Sequence, residues 1–201
     1  MTRTAPQTAP ILDPTPHGSQ NLYWWGMLLL VVIEITLFSL LVASYFFMQL
    51  RSPEWPPASV GNPELLLPTI NTGVLILSGI FMRYGDVSIR KGNQTGLLIG
   101  QTVALILAVV FVYLKAVEYF GKDYNWATHT YGSLIWLMVG FHTAHVFSVF
   151  LKGLLIYTLA WMGAYSKEDH VAVEVNGLYW LFVVVIWLPL YFTIYLSPYI
   201  F

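Results

Sequence analysis

Long apolar runs separated by short polar stretches set the pattern of the chain. Five such runs occur, at about 22–50, 65–83, 97–120, 131–157 and 177–197. The first reads LYWWGMLLLVVIEITLFSLLVASYFFMQL and the second LLLPTINTGVLILSGIFM. Each supplies roughly 20 residues, which at about 1.5 Å rise per residue crosses about 30 Å of hydrocarbon. The second run is short and begins near Pro68, a residue tolerated in a first helical turn because that N–H has no helical partner. Membrane β-strands would show segments of about ten residues with alternating polarity. These runs are continuous, so helices are the expected spanning elements. No internal repeat stands out. The pattern predicts an all-α fold: one integral membrane bundle of five transmembrane helices over residues 22–201, after a polar tail over 1–21.

The tail, MTRTAPQTAPILDPTPHGSQ, is polar and Pro-rich. It lacks an apolar core beside a basic region, so it does not read as a cleaved signal, and the expectation is disorder. Composition agrees with a membrane domain. Of 201 residues, 57% are hydrophobic and 9% charged, with a mean hydropathy of +0.67. About a quarter of the residues of a soluble domain are charged. The net charge of -1 gives no reason to expect a nucleic-acid partner. The absence of cysteine excludes disulfides, thiolate metal sites and iron–sulfur clusters.

An odd number of spans puts the termini on opposite sides, and basic residues choose between them. With the N-terminus inside, the inner side carries Arg3, Arg83, Arg90, Lys91 and Lys167, with Lys152 towards the inner end of the fourth run. The outer side carries Arg51 and Lys122, with Lys115 close by. This bias predicts N-in, C-out.

Polar residues inside the runs hold the candidate chemistry. Glu34, in VVIEITLF, lies near mid-membrane, where an ionised lone carboxylate is costly. It is expected to be protonated or paired and to face protein. A proton-related or lipid-headgroup site and a plain interhelical hydrogen bond are both open readings. Glu118 lies at the end of the third run, with Lys115 three residues earlier on the same face. His142 and His145, in GFHTAHV, share a face of the fourth run. Two imidazoles could contribute to a metal or haem site, but a metal normally needs three or four ligands and a bis-histidine haem needs ligands from two sides. His17, His129 and His170 fall in the tail, at a helix entrance and in a loop. The expected role is therefore polar bonding to a facing helix, with Glu34 or Glu118 as the partner. No HExxH or phosphate-binding motif occurs.

Taken in order, these patches resemble subunit III of the haem–copper terminal oxidases (cytochrome c and quinol oxidases), in its five-helix bacterial form. WWGMLLLVVIEITLFSLLVASYFF is similar to the family helix with a membrane glutamate, here Glu34. The Trp-Pro-Pro turn falls on Trp55, Pro56 and Pro57, followed by Pro68, Asn71, Thr72, Ser78 and Gly79. The Glu-Tyr pair falls on Glu118 and Tyr119. Tyr-Gly-Ser and Gly-Phe-His-x-x-His fall on Tyr131, Gly132, Ser133, Gly140, Phe141, His142 and His145. The last helix matches at Glu174, Tyr179, Trp180, Trp187 and Tyr191. It departs at Leu181 and Val184, where the family usually carries His and Asp.

The resemblance implies a non-redox accessory subunit that packs on the catalytic subunit I, in a complex with subunit II and small subunits. Haem and copper would sit on those partners, with none on this chain. It also implies phospholipid in a cleft between the first two helices and the other three, support of proton uptake and turnover stability, and a place in the bacterial cytoplasmic membrane. By this resemblance Glu34 and Trp55 are lipid-cleft or proton-related residues. Arg83 joins them by depth and charge, as a group able to meet a lipid phosphate at the inner surface. Glu118, His142, His145, Asn71 and Thr72 become buried polar helix contacts, and no residue is catalytic. Subunit III-like partners of nitric-oxide reductases and a quinone-binding membrane subunit remain alternatives.

Overall fold

The structure, a computed structural model, describes residues 21–200. The expected disordered tail lies outside the described residues apart from Asn21, which caps the first helix by accepting the Tyr23 N–H on its side-chain oxygen at 2.8 Å. Five helices follow: α1 (Leu22–Arg51), α2 (Leu66–Arg90), α3 (Gln94–Phe120), α4 (Thr130–Trp161) and α5 (Val171–Tyr191). All five are long and apolar enough to cross a membrane. The fold is an all-α bundle of five such helices.

Two helices reach beyond their apolar runs. α2 continues to Arg90 through Arg83 and Asp86, and α5 starts at Val171, ahead of Glu174 and Asn176. The charged residues of these extensions bond to one another, so helix continues where hydropathy fades.

α2 and α3 form an antiparallel hairpin closed by the turn 91–93. Gly92, at φ 78°, takes the left-handed conformation that the turn requires. Small residues let the two backbones approach. A Cβ on Gly100 would lie 2.6 Å from the Gly85 nitrogen and 2.7 Å from the Phe81 carbonyl oxygen. Gly96, Gly100, Ala104 and Ala108 recur every fourth residue along the buried face of α3. This small-residue stripe is how membrane helices gain van der Waals contact where lipid removes the hydrophobic drive.

α5 packs against α1, α2 and α4. Its Trp180 and Trp187 are fully buried, and both ring N–H groups donate across to α2, to Ser78 Oγ at 3.1 Å and Thr72 Oγ1 at 2.9 Å. Val184, one of the two departures, packs on Gly79 of α2, while Leu181, one turn earlier, is exposed and lines the small cavity that Gly79 also borders. α5 contains Pro189 and passes into a π-helical stretch over Phe192–Leu196, which turns Thr193, Ile194 and Tyr195 inward.

α1 stands apart from this packing. Only Phe38 and Tyr45 among its residues are fully buried, and it rests on α5 and α4. This corrects the helix grouping that the resemblance implied. The first two helices do not form one arm of a cleft, because α2 is held by the glycine contacts with α3.

The bundle has two distinct ends. One carries loops 52–65 and 121–129 and is called the far end; Tyr199 donates there to the Pro63 carbonyl at 2.8 Å. The other, the near end, carries turn 91–93 and loop 162–170, where Gln94 donates to the Ala160 carbonyl at 2.6 Å.

Candidate functional site

Polar side chains inside the bundle gather at three depths. The middle group joins α1 to α4. His145 Nε2 lies 2.9 Å from Glu34 Oε2, and its Nδ1 lies 2.7 Å from the Phe141 carbonyl oxygen. A carbonyl only accepts, so Nδ1 carries a proton and donates. Nε2 then either accepts from a protonated Glu34 or donates to an ionised one. The pair is neutral overall in both arrangements, and one proton is shared between carboxylate and imidazole. That removes the cost of a lone carboxylate at this depth. Phe38 closes the site edge-on to His145, with ring centroids 5.1 Å apart.

His142 serves a different helix. Its Nε2 donates to the Val183 carbonyl of α5 at 3.0 Å, and its ring lies 4.6 Å from that of Trp187 and 5.8 Å from Phe111. The two histidines thus point to α5 and α1. Among the described residues no group of three or more His, Cys, Asp or Glu side chains could hold a metal ion.

Towards the far end, α3 carries Lys115, buried and donating to Glu118 Oε2 at 2.7 Å and to Tyr195 Oη at 2.9 Å. Tyr195 in turn donates to Glu118 Oε1 at 2.5 Å. The Lys115 ammonium also lies 4.7 Å above the Trp187 ring. Lys122, in the loop after α3, reaches Glu118 at 3.8 Å. Burial draws its ammonium below the usual lysine range, and the Glu118 carboxylate opposes that pull. Asn71, fully buried, donates to the Phe111 carbonyl at 3.1 Å, and Thr72 receives the Trp187 N–H. Trp55 belongs to the 52–65 loop and is half-buried. Its ring meets Tyr45 of α1 at 5.3 Å and Tyr131 of α4 at 5.1 Å.

At the near end, Arg83 and Arg90 both bond the buried Asp86, and Arg90 also reaches Glu174 of α5 at 2.7 Å. Two arginines and two carboxylates thereby neutralise one another between α2 and α5. Trp24 of α1 and Gly177 of α5 line the small cavity beside them.

Glu34, Arg83 and Trp55 therefore do not share one place. They belong to the middle, near-end and far-end groups respectively. Glu34 joins His145, which merges two residues that sequence reasoning had set in separate classes. The near-end cluster was missed, although Arg83, Asp86 and Arg90 at spacings of three and four on one helix face would have signalled it. Tyr195 carried no such signal, since it meets Glu118 across 77 residues of chain.

Comparison with known proteins places this geometry. The profile of the family described as Cytochrome c oxidase subunit III matches residues 15–199. A protein of Synechocystis sp. named Cytochrome c oxidase subunit 3 is 33% identical over 185 residues, covering 90% of this chain and 78% of the relative. The protein of that name from Thermostichus vulcanus is 33% identical over 175 residues, 85% of each. That from Pelomedusa subrufa is 35% identical over 190 residues, 90% of this chain and 71% of the relative. The chain belongs to the cytochrome c oxidase subunit III family.

Proposed function

We propose that the chain is the non-redox accessory subunit of a respiratory haem–copper oxidase, packed on the catalytic subunit I within the bilayer, with subunit II completing the complex. Oxygen reduction and its haem and copper belong to those partners. This chain contributes packing, bound phospholipid, and support of proton uptake and turnover stability. The family match across all five helices carries this reading. The internal bonding supports it. The polar groups that bridge helices, Glu34–His145, Lys115–Glu118–Tyr195 and Arg90–Glu174, hold this chain together. Broad apolar faces of α1, α3 and α4 are left for lipid and neighbouring subunits.

The orientation we propose is N-terminus in the cytoplasm and C-terminus outside, in a bacterial cytoplasmic membrane. Arg83, Arg90, Lys91 and Lys167 belong to the near end, and excess Lys and Arg favours the cytoplasmic side. Lys115 and Lys122, towards the far end, are already bonded to Glu118. Glu34 takes the proton-related role through the proton it shares with His145. Arg83, with an exposed guanidinium, and Trp55 are assigned to contacts with lipid at opposite ends of the bundle.

Purification in mild detergent, followed by intact-complex mass spectrometry and metal analysis, tests the function. The expected result is a complex with a haem–copper catalytic subunit, in which haem and copper stay with the partner subunits when this chain is stripped off. Stoichiometric haem on the isolated chain would overturn the reading. Tag-accessibility mapping that found the N-terminus outside would overturn the orientation.

A further inference from the structure

We infer that a cavity at the far end, walled by loop 52–65, the end of α3 and the start of α4, is a socket for an arginine side chain from an extramembrane segment of a neighbouring oxidase subunit. The inference rests on the proposed function, which supplies the neighbour. It concerns the water-facing end of the bundle and not the faces turned to lipid.

The cavity measures about 400 Å³. A water takes about 30 Å³ of liquid, so the space is far larger than a bare ion needs, and it falls within the range of ligand pockets. Val60, Pro63 and Leu67 give it an apolar side. Tyr131 supplies the observation that points to an occupant. It is 1% exposed, is walled by the rings of Tyr45, Trp55 and Tyr124, and lines the cavity. Among the described residues nothing hydrogen-bonds its hydroxyl, and that oxygen is not closed off from water as the unpaired Nε2 of the neighbouring His129 is. The small opening that Tyr131 keeps therefore includes an unpartnered hydroxyl, and the cavity is what it opens on. Native proteins rarely leave a polar group at such depth without a partner.

Charge selects the occupant. Glu64, Glu118 and Asp123 line the cavity, and Lys122 is the one cation among the lining residues. Lys115, buried behind Glu118, offsets a second carboxylate. One negative charge is left over. Glu64 and Asp123 are exposed, and neither makes a salt bridge among the described residues, since Lys115 and Lys122 both turn to Glu118. A single cation thus neutralises the site. Among the described residues no three carboxylates or imidazoles come together closely enough to hold a metal ion, so the cation is one that brings its own N–H groups. A guanidinium is a planar fork of donors that meets carboxylates two bonds at a time and stacks on aromatic rings. Here it donates to Glu64 and Asp123 and to the open Tyr131 oxygen, with the Tyr124 ring in the wall beside it. The methylene stem of the arginine covers Val60 and Leu67. A simple free amine would leave that apolar side bare, and an anion would meet net negative charge.

The test uses the intact oxidase complex. A photoreactive Asn62→p-benzoylphenylalanine variant places a cross-linker at the exposed rim of the cavity, and mass spectrometry reads what it captures. The expected product is a partner subunit joined through an extramembrane segment that contains arginine. Capture of lipid alone, of this chain alone, of a segment without arginine, or of nothing overturns the proposal. Retention of this chain during salt washes in mild detergent, read by native mass spectrometry, gives the second measurement. The double variant Glu64→Gln, Asp123→Asn is expected to lose the chain about tenfold more readily, as for a lost charge-assisted bond, and Tyr131→Phe about threefold. Replacing the captured arginine by Gln is expected to match the double variant. Glu54→Gln removes the same charge from the same loop outside the cavity and is expected to match the unaltered complex. Retention unchanged in both cavity variants overturns the proposal, as does an equal loss in Glu54→Gln. If the double variant fails to assemble, Tyr131→Phe and the cross-link decide the matter. Failure of the accessory-subunit reading would register separately, as a purified complex without a haem–copper subunit.

Discussion

The α2–α3 hairpin and α1 solve the same problem in opposite ways. Both are membrane helices, and in lipid neither gains from leaving water. The hairpin relies on close backbone contact through Gly85, Gly96 and Gly100, with hardly any polar bonding between the two helices beyond the turn. α1 makes no such approach. It is held at points: the Glu34–His145 pair near its middle, Phe38 beside it, and Tyr45 in the aromatic group with Trp55 and Tyr131. Continuous packing resists small losses but tolerates no added atom. Point attachment tolerates added atoms but depends on each bond.

The sharpest way to break the comparison is Gly100→Leu. The new side chain would start 2.6 Å from the Gly85 backbone nitrogen, and backbone on both sides cannot move aside as a side-chain tip would. Overpacking of a core costs about 1–3 kcal/mol, and here the upper end or beyond is expected. The complex should fail to assemble or lose this subunit on mild heating. Gly73→Ala on the same hairpin meets nothing within 4 Å and should be silent. Equal thermal stability of the Gly100→Leu and Gly73→Ala complexes would remove close packing as the basis of the hairpin.

Next in size is Glu34→Ala. It leaves His145 Nε2 without its partner and removes a bond between α1 and α4. Interhelical hydrogen bonds in membranes are worth about 0.6–2 kcal/mol, so a loss of that order is expected. It should appear as faster hydrogen exchange at the middle of α1 and as faster inactivation over many turnovers. Glu34→Gln should do less. Its amide can donate to the bare His145 Nε2, so assembly and the initial rate of oxygen reduction should stay near normal. If both variants abolished the first turnover with haem content intact, Glu34 would have to act directly in catalysis. The accessory reading would then fall.

How much of this was legible in the chain follows the same division. Five spans, and the Lys115–Glu118 pair, are local in sequence and could be read from hydropathy and spacing. The two histidines could be read as helix contacts because too few further ligands exist to make a metal site. Which carboxylate His145 would meet was not readable, since Glu34 lies 111 residues away and Glu118 offered the same chemistry. The ends of α2 and α5 were hidden because Arg83, Asp86, Arg90 and Glu174 look like loop by hydropathy and become helix only through one another. The placing of α1 apart from α2 needed the glycine contacts in three dimensions. A glycine in an apolar run does not say which backbone approaches it.

The smallest expected effect concerns the far-end attachment of α1 at high pH. Tyr124, in the loop between α3 and α4, is pushed up to about 12, by burial first and by the Glu118 carboxylate and Tyr45 after it. Its ring lies 6.1 Å from Tyr131, which lies 6.3 Å from Tyr45 of α1. A phenol raised in the folded state favours folding while it keeps its proton. Its contribution is fully present below the ordinary tyrosine value of about 10 and is lost as pH rises through about 12. Ionisation would set a negative charge beside Glu118 and among the rings that hold the far end of α1. Stability should therefore fall between about pH 10 and 12, with α1 loosening before the hairpin, whose glycine contacts do not titrate. Tyr124→Phe should flatten that fall without changing stability near neutrality by more than a few tenths of a kcal/mol, since it removes one hydroxyl and keeps the ring. Thermal unfolding of the complex across this pH range, read with hydrogen exchange resolved by helix, measures both. If α2–α3 opened first, or the Tyr124→Phe curve matched the unaltered one, the aromatic group would not be what anchors α1.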